Sequence, residues 1–262
     1  MKNMYFISGS IADKYFEENC RKIYDGVYCF NNDIVIKKYD KRKSMGVYPE
    51  HSDLNLLQFK DIDIEGFSFN KALVYTGLFN IYGIITKFIE GNTIKDVYLS
   101  SYSIDDVIRA VSEIDNSIKK ISDLNIRVND IHDGNIIFDG NKITMIDTSE
   151  YYYSKQETQI YEENMLRIMD VLFKNIFYSV GKDRFIKHVY NVHKYFSIRG
   201  SKFYNFRDFE YLMNPVETLV EIRNFMEEDF GVKLNTFSEC HNYVDEIVNN
   251  EQTYKRVLTK RK

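Results

Sequence analysis

The sequence predicts an α+β fold in two regions, β-rich up to about residue 90 and mainly helical beyond it. Three observations carry this expectation. Short apolar runs of strand length dominate the first third, apolar residues recur at steps of three and four from residue 104 onward, and the character changes after Glu90-Gly91-Asn92. Strands first and helices second is the order of an α+β chain, with a boundary expected near Gly91.

Each element follows from local chemistry. Val27-Tyr28-Cys29-Phe30 and Ile34-Val35-Ile36-Lys37 read as two strands joined by Asn31-Asn32-Asp33, because Asn and Asp tolerate left-handed backbone. A basic stretch runs from Lys37 to Lys43. A short helix is expected over Ser52 to Lys60, capped by Ser52 or Asp53, with Leu54 and Leu57 inward. Further strands are expected at Lys71 to Tyr75 and Ile81 to Phe88. Ile104, Val107, Ile108, Val111, Ile114, Ile118 and Ile121 describe one helical face. Met165, Ile168, Met169, Leu172 and Ile176 make a second, and the pattern stays mostly helical from about residue 160.

Composition bounds the function. The 262 residues are 44% hydrophobic, enough for a sizeable core, and a net charge of −4 argues against a life on phosphate backbones. Cys20, Cys29 and Cys240 are scattered, with neither a disulfide framework nor a zinc spacing. The apolar run Met4 to Ile7 is too short for a secretory signal, and no run approaches membrane-spanning length. A soluble cytoplasmic protein without nucleic-acid or membrane partners is expected. His51, His188, His193 and His241 share no ligand spacing. Tyr151-Tyr152-Tyr153 is expected to pack as an aromatic cluster, and the basic stretch from Tyr254 to Lys262 to be a solvated tail.

The most informative segment is Val128-Asn129-Asp130-Ile131-His132-Asp133-Gly134-Asn135-Ile136-Ile137-Phe138, followed by Asp139-Gly140-Asn141 and Lys142-Ile143-Thr144-Met145-Ile146-Asp147. A polar loop feeds an apolar strand, a glycine turn follows, and a second apolar strand ends on an aspartate. Phosphoryl transfer needs a carboxylate beside the attacking hydroxyl and oxygen ligands that hold magnesium on phosphates. A loop Asp, an Asn five residues on and a strand-end Asp can supply them. Asp130-Ile131-His132-Asp133-Gly134-Asn135 resembles the catalytic loop of protein-kinase-like enzymes, above all the aminoglycoside and choline phosphotransferase branch. The resemblance implies a bilobal fold with a nucleotide-binding lobe over residues 1–90 and a catalytic and substrate lobe over 91–262. It implies ATP and Mg2+ as cofactors, Asp130 as catalytic base, and Asn135 and Asp147 as magnesium ligands.

Further segments extend the resemblance. Ile34 to Lys37 is similar to the strand whose lysine grips nucleotide phosphates, so Lys37 would hold phosphate and Val35, on the same strand face, would touch the base. Lys37 stands 93 residues before Asp130. Ile85 to Thr93 resembles the segment that joins the lobes, with Lys87 and Phe88 at the adenine. Glu50 is the candidate acidic partner of the lysine, and Gly26 is the sole glycine in the neighbourhood of the family's glycine-rich loop. His132 is expected to order its loop. The chain departs from the pattern at Val128 and Asn129, at Ser149 where a glycine usually follows the metal aspartate, and in having no Ala-Pro-Glu-like segment.

The acceptor stays open between a small molecule and a protein, and a pseudokinase serving as an interaction module is the alternative. From Asp147 to the helical pattern near Gln159 runs about a dozen residues, a small platform for an extended peptide. Glu227-Glu228-Asp229 is the single acidic cluster that a polycationic acceptor could meet, and a solvated helix end accounts for it equally well.

Overall fold

In a computed structural model the described residues are 4–9, 11–39, 56–76, 80–155, 159–178, 185–204, 209–250, 252, 255, 256 and 259. The fold is mixed α+β, with a six-stranded sheet and, among the described residues, seven α-helices. The chain divides into two compact units: the described residues of 1–90 with Thr144–Glu150, and those of Gly91–Ile143 with Tyr151–Lys262. The return of Thr144–Glu150 to the first unit is a feature that one boundary near Gly91 did not anticipate.

In the first unit, β1 (Met4–Phe6), β2 (Arg21–Tyr24), β3 (Val27–Phe30), β4 (Ile34–Lys38), β5 (Ala72–Tyr75) and β6 (Ile81–Lys87) form one sheet in the order β1-β5-β6-β4-β3-β2. The expected hairpin is β3–β4. Asn31 and Asn32 both take positive φ, 51° and 53°, and the Asp33 N–H closes the turn on Phe30 O at 3.1 Å. β1 runs parallel to β5, and α1 (Ala12–Asn19) follows it. Phe16 of α1 packs with Tyr28, Ile36, Ala72, Val74 and Ile85 on one sheet face, while Leu56, Leu73, Tyr75 and Ile84 form the other cluster.

Sequence patterning misses β1, α1 and β2. β1 is three residues long, α1 buries only Ala12 and Phe16, and β2 is largely exposed, so none carries a periodic signal. Of the helix expected over Ser52 to Lys60, residues 52–55 lie outside the described residues. Leu56 is helical and buried, Leu57 to Asp61 is turn with the Lys60 N–H bonded to Leu57 O, and Leu57 packs half-buried against the same cluster as Leu56.

The second unit holds β7 (Asn92–Thr93), α2 (Ile104–Asp123), β8 (Ile126–Arg127), β9 (Ile136–Phe138), β11 (Tyr152–Tyr153), α3 (Ile160–Phe177), α4 (Phe185–Arg199), α5 (Glu210–Met213), α6 (Pro215–Phe230) and α7 (Phe237–Asn249). After the Asp139–Gly140 turn, β10 (Ile143–Met145) carries the chain back to the first unit. The stripes predicted for α2 and α3 are buried, except that Ile108 is half-buried. α6 begins on Pro215 and ends on Gly231 at φ 66°, the asymmetry expected of helix ends. Gly91, at φ 127°, permits the close pairing of β7 with β9: a Cβ there would lie 2.7 Å from Phe138 O.

Two side-chain expectations need correction. Tyr151 is buried, but Tyr152 and Tyr153 lie exposed on β11, which pairs with β8; strand alternation does not hold all three rings inward. Asp229 is 2% exposed rather than solvated. Tyr195 donates to it at 2.7 Å and the Arg199 guanidinium lies 3.3 Å away, a pairing that makes burial of its charge tolerable. No described helix is long and apolar enough to cross a membrane.

Candidate functional site

Lys37 lies near the end of β4, between β3 and β6, opposite Val27 and Ile84. Pleating sends Ile34 and Ile36 to the face that carries Phe16 of α1, and Val35 and Lys37 to the other. Lys38 therefore turns towards α1, where its amine is 2.5 Å from Asp13. The Lys38 ammonium, with help from the Tyr82 hydroxyl, holds the Asp13 carboxyl below the usual carboxylate range. Lys37 instead makes an ion pair with Asp147, 110 residues away in sequence and part of the same unit. The neighbouring strand must come close here: a Cβ on Gly83 would sit 2.8 Å from Lys37 O.

Asp147 is reached through a short, well-tethered segment. The Met145 N–H donates to Gly66 O at 2.8 Å and Met145 O accepts from the Ser68 N–H at 2.9 Å. Thr148 Oγ1 donates to Ser68 O at 3.2 Å. Between these anchors Asp147 takes a left-handed backbone, φ 57°, which Asp tolerates better than most residues. Ser149 Oγ donates to Asp147 Oδ1 at 3.4 Å, and the buried Asn70 donates to Ser149 Oγ at 3.3 Å and to Leu56 O at 3.0 Å. The carboxylate remains partly open, with 22% of its side chain exposed.

In the second unit the polar loop follows β8. Asp130 also has a left-handed backbone, φ 53°, and 44% of its side chain is exposed. The Asn135 amide nitrogen donates to Asp130 O at 3.0 Å and approaches Asp130 Oδ2 at 3.4 Å, so this pair is brought together. His132 Nδ1 accepts from the Gly134 N–H at 3.1 Å, which places its proton on Nε2, 4.0 Å from Asp130 Oδ1. The histidine thus orders the loop, and Gly134 makes room for it: a Cβ at 134 would lie 3.1 Å from His132 Cε1.

Two residues that the sequence reading did not single out hold this loop. Asn164 Oδ1 accepts from the Val128 N–H at 2.9 Å, and its amide donates to Ile126 O and Ser122 Oγ at 2.8 and 2.9 Å. Arg167 donates to Val128 O at 2.8 Å and to Asn129 Oδ1 at 3.1 Å. The signal for Asn164 was available, because it interrupts the buried row Ile160, Ile168, Leu172 on α3. An amide at such a position needs partners, and here it finds backbone. Asn70 was the less legible case, standing between Phe69 and the strand β5 with no periodicity to mark it as buried.

The remaining candidates are placed as follows. Val35 shares the face of Lys37 and pairs with Cys29 and Thr86. Gly26, at φ 72°, closes the two-residue β2–β3 turn, and its carbonyl accepts from the Lys38 N–H at 2.7 Å. Lys87 is exposed and lies opposite Ile34, at the other end of β4 from Lys37. Phe88 bonds Asp33 O through its N–H at 2.7 Å and carries the Arg21 guanidinium 5.5 Å above its ring. Glu50 lies outside the described residues. Compared with models of known protein families and with curated proteins, the chain matches none.

Among the described residues no group of three or more His, Cys, Asp or Glu could hold a metal by itself. Asp147 and Asn135 each offer oxygen. Asp147 lies in the first unit and Asn135 in the second, and each is a hard oxygen donor of the kind that suits magnesium rather than zinc.

Proposed function

We propose that the chain is an ATP-dependent phosphotransferase of the protein-kinase-like kind, moving the γ-phosphoryl group to a hydroxyl of a small molecule or protein. The finer fold belongs to the same proposal: a nucleotide-binding lobe over 1–90 and a catalytic lobe over 91–262 in a cytoplasmic enzyme. The observation that supports it most is the Lys37–Asp147 ion pair. The family resemblance gave these two residues separate roles, one on the phosphates and one on the metal. A cation suited to phosphate and a carboxylate suited to a metal ion thus pair with each other.

In this reading Lys37 binds the phosphates, while Asn135 and Asp147 would hold magnesium, whose contribution when bound is to neutralise charge on the transferring group. Asp130, half-exposed and steadied by Asn135, accepts the proton of the attacking hydroxyl at its carboxylate. Asn164 and Arg167 act through the backbone at Val128 and keep that carboxylate in place.

A second reading, a pseudokinase that serves as an interaction module, has one observation in its favour. The β2–β3 connection is the two-residue turn Asp25-Gly26, which offers little backbone to cover phosphates. Thermal unfolding with ATP, with and without magnesium, followed by assay of ATP turnover, separates the readings. Ligand at a hundredfold excess over its Kd adds about 2.7 kcal/mol of stability. The enzyme reading expects magnesium-dependent stabilisation with turnover. In Asp130→Asn, binding is expected to stay while turnover falls by roughly 10²-fold or more. Stabilisation without turnover on any acceptor supports a nucleotide-binding pseudokinase, and no stabilisation contradicts the enzyme reading and favours a nucleotide-free module.

A further inference from the structure

We infer that Asn70 and Ser149 form a positioning relay that fixes the rotation of the Asp147 carboxylate and so tunes its affinity for a divalent cation; this rests on the proposed phosphotransferase reading. The carboxylate has two oxygens with different employment. Oδ2 faces the Lys37 ammonium, and Oδ1 accepts from the Ser149 hydroxyl at 3.4 Å. A hydroxyl has one proton to give, so Ser149 must receive a hydrogen bond if its own direction is to be fixed. It receives one from the Asn70 amide at 3.3 Å.

Asn70 is itself immobilised. It is 5% exposed, its amide also donates to Leu56 O at 3.0 Å, and Leu56 belongs to the cluster with Leu73, Tyr75 and Ile84. Order therefore passes from an apolar core through one amide and one hydroxyl to the carboxylate. Asp147 needs it. Its left-handed backbone holds the Cα position between the Met145 and Thr148 anchors, yet leaves the side-chain torsion free. Oriented ligand oxygens bind metal more tightly than free ones, and outer partners of ligands typically contribute 10- to 100-fold in metal affinity. Ser149 stands where the resembling family usually has glycine, which could not donate, so the relay is a property of this chain's own residues.

The test is a magnesium titration of nucleotide affinity on the full chain, with a fluorescent ATP analogue as probe. Ser149→Ala is expected to raise the magnesium concentration for half-maximal effect by roughly 10-fold, while affinity for the metal-free nucleotide stays unchanged. Ser149→Thr, which keeps the hydroxyl, is expected to restore the original value; a merely structural loss would not return with the hydroxyl. Asn70→Ala should shift the midpoint in the same direction, and should add nothing in the Ser149→Ala background because both act through one bond. An unchanged midpoint in folded Ser149→Ala, or additive losses in the double variant, overturns the relay while leaving the phosphotransferase reading intact. Absence of any magnesium effect in the unaltered chain removes the reading and the relay together.

Discussion

Asp147 and Asp130 take nearly the same backbone conformation, φ 57° and 53°, and are held by opposite means. Around Asp147 the partners act on the carboxylate itself: an ammonium on one oxygen and a serine hydroxyl on the other. Around Asp130 they act mainly on the main chain. Asn135 bonds its carbonyl, and Asn164 and Arg167 grip the peptide groups two residues earlier. Asp130 is also the more open of the two, 44% against 22% of the side chain exposed. The difference suits the roles proposed. A metal ligand works through a fixed direction of its oxygens, whereas a base must meet a substrate proton and needs a fixed position with free access.

Four variants and one pH series sharpen or break this contrast. The largest effect is expected at Asn164→Ala. This side chain is 1% exposed and satisfies one donor and two acceptors, so its loss should destabilise the second unit by about 3 kcal/mol. Urea unfolding measures it, and a loss below about 1 kcal/mol would mean that backbone tethering is not what holds the loop.

Acid comes next. Burial depresses His193 and His241 to about 4, and lowers His188 as well. Such groups fold neutral, so the unfolded chain binds more protons below its own histidine pKa near 6.5. Their contribution is fully present above about pH 6.5, and each of the two is expected to lose on the order of 2 kcal/mol as pH falls towards 4. Thermal unfolding between pH 7 and 4 should show a decline that His241→Gln makes shallower. An equal slope in that variant would contradict the assignment.

Lys37→Met is expected to weaken ATP binding about 10-fold, the loss of roughly 1.4 kcal/mol of interaction with phosphate. Lys38→Met should be nearly silent for ATP and cost at most about 1 kcal/mol of stability, because its pair with Asp13 is a surface one. The reverse ranking would mean that the face of β4 that carries Val35 is not the nucleotide face.

The sequence made the strongly periodic parts legible. The β3–β4 hairpin could be read from two adjacent asparagines, and α2 and α3 from stripes that prove buried throughout but for Ile108. It was silent where an element is too short or too exposed to show a period, as with β1, α1 and β2. The helix expected over Ser52 to Lys60 ends earlier: Leu56 is helical and the chain turns over Leu57 to Lys60. At the site, residue types and spacing pointed to Asp130, Asn135 and Asp147 and the family resemblance to Lys37; Lys37 and Asp147 share an ion pair, and Asp130 and Asn135 share a loop. What spacing could not reveal was the support. Asn70, Ser149, Asn164 and Arg167 act through single hydrogen bonds between segments distant in the chain, and no period in sequence encodes such a bond.

The central claim is that Asp147 holds a cation on bound nucleotide. Calorimetric titration of ATP into the unaltered chain and into Asp147→Asn, each with and without magnesium, tests it most directly. Magnesium is expected to tighten binding to the unaltered chain and to have no effect on the variant, whose affinity for metal-free ATP persists. A folded Asp147→Asn that keeps the full magnesium-dependent gain would contradict it.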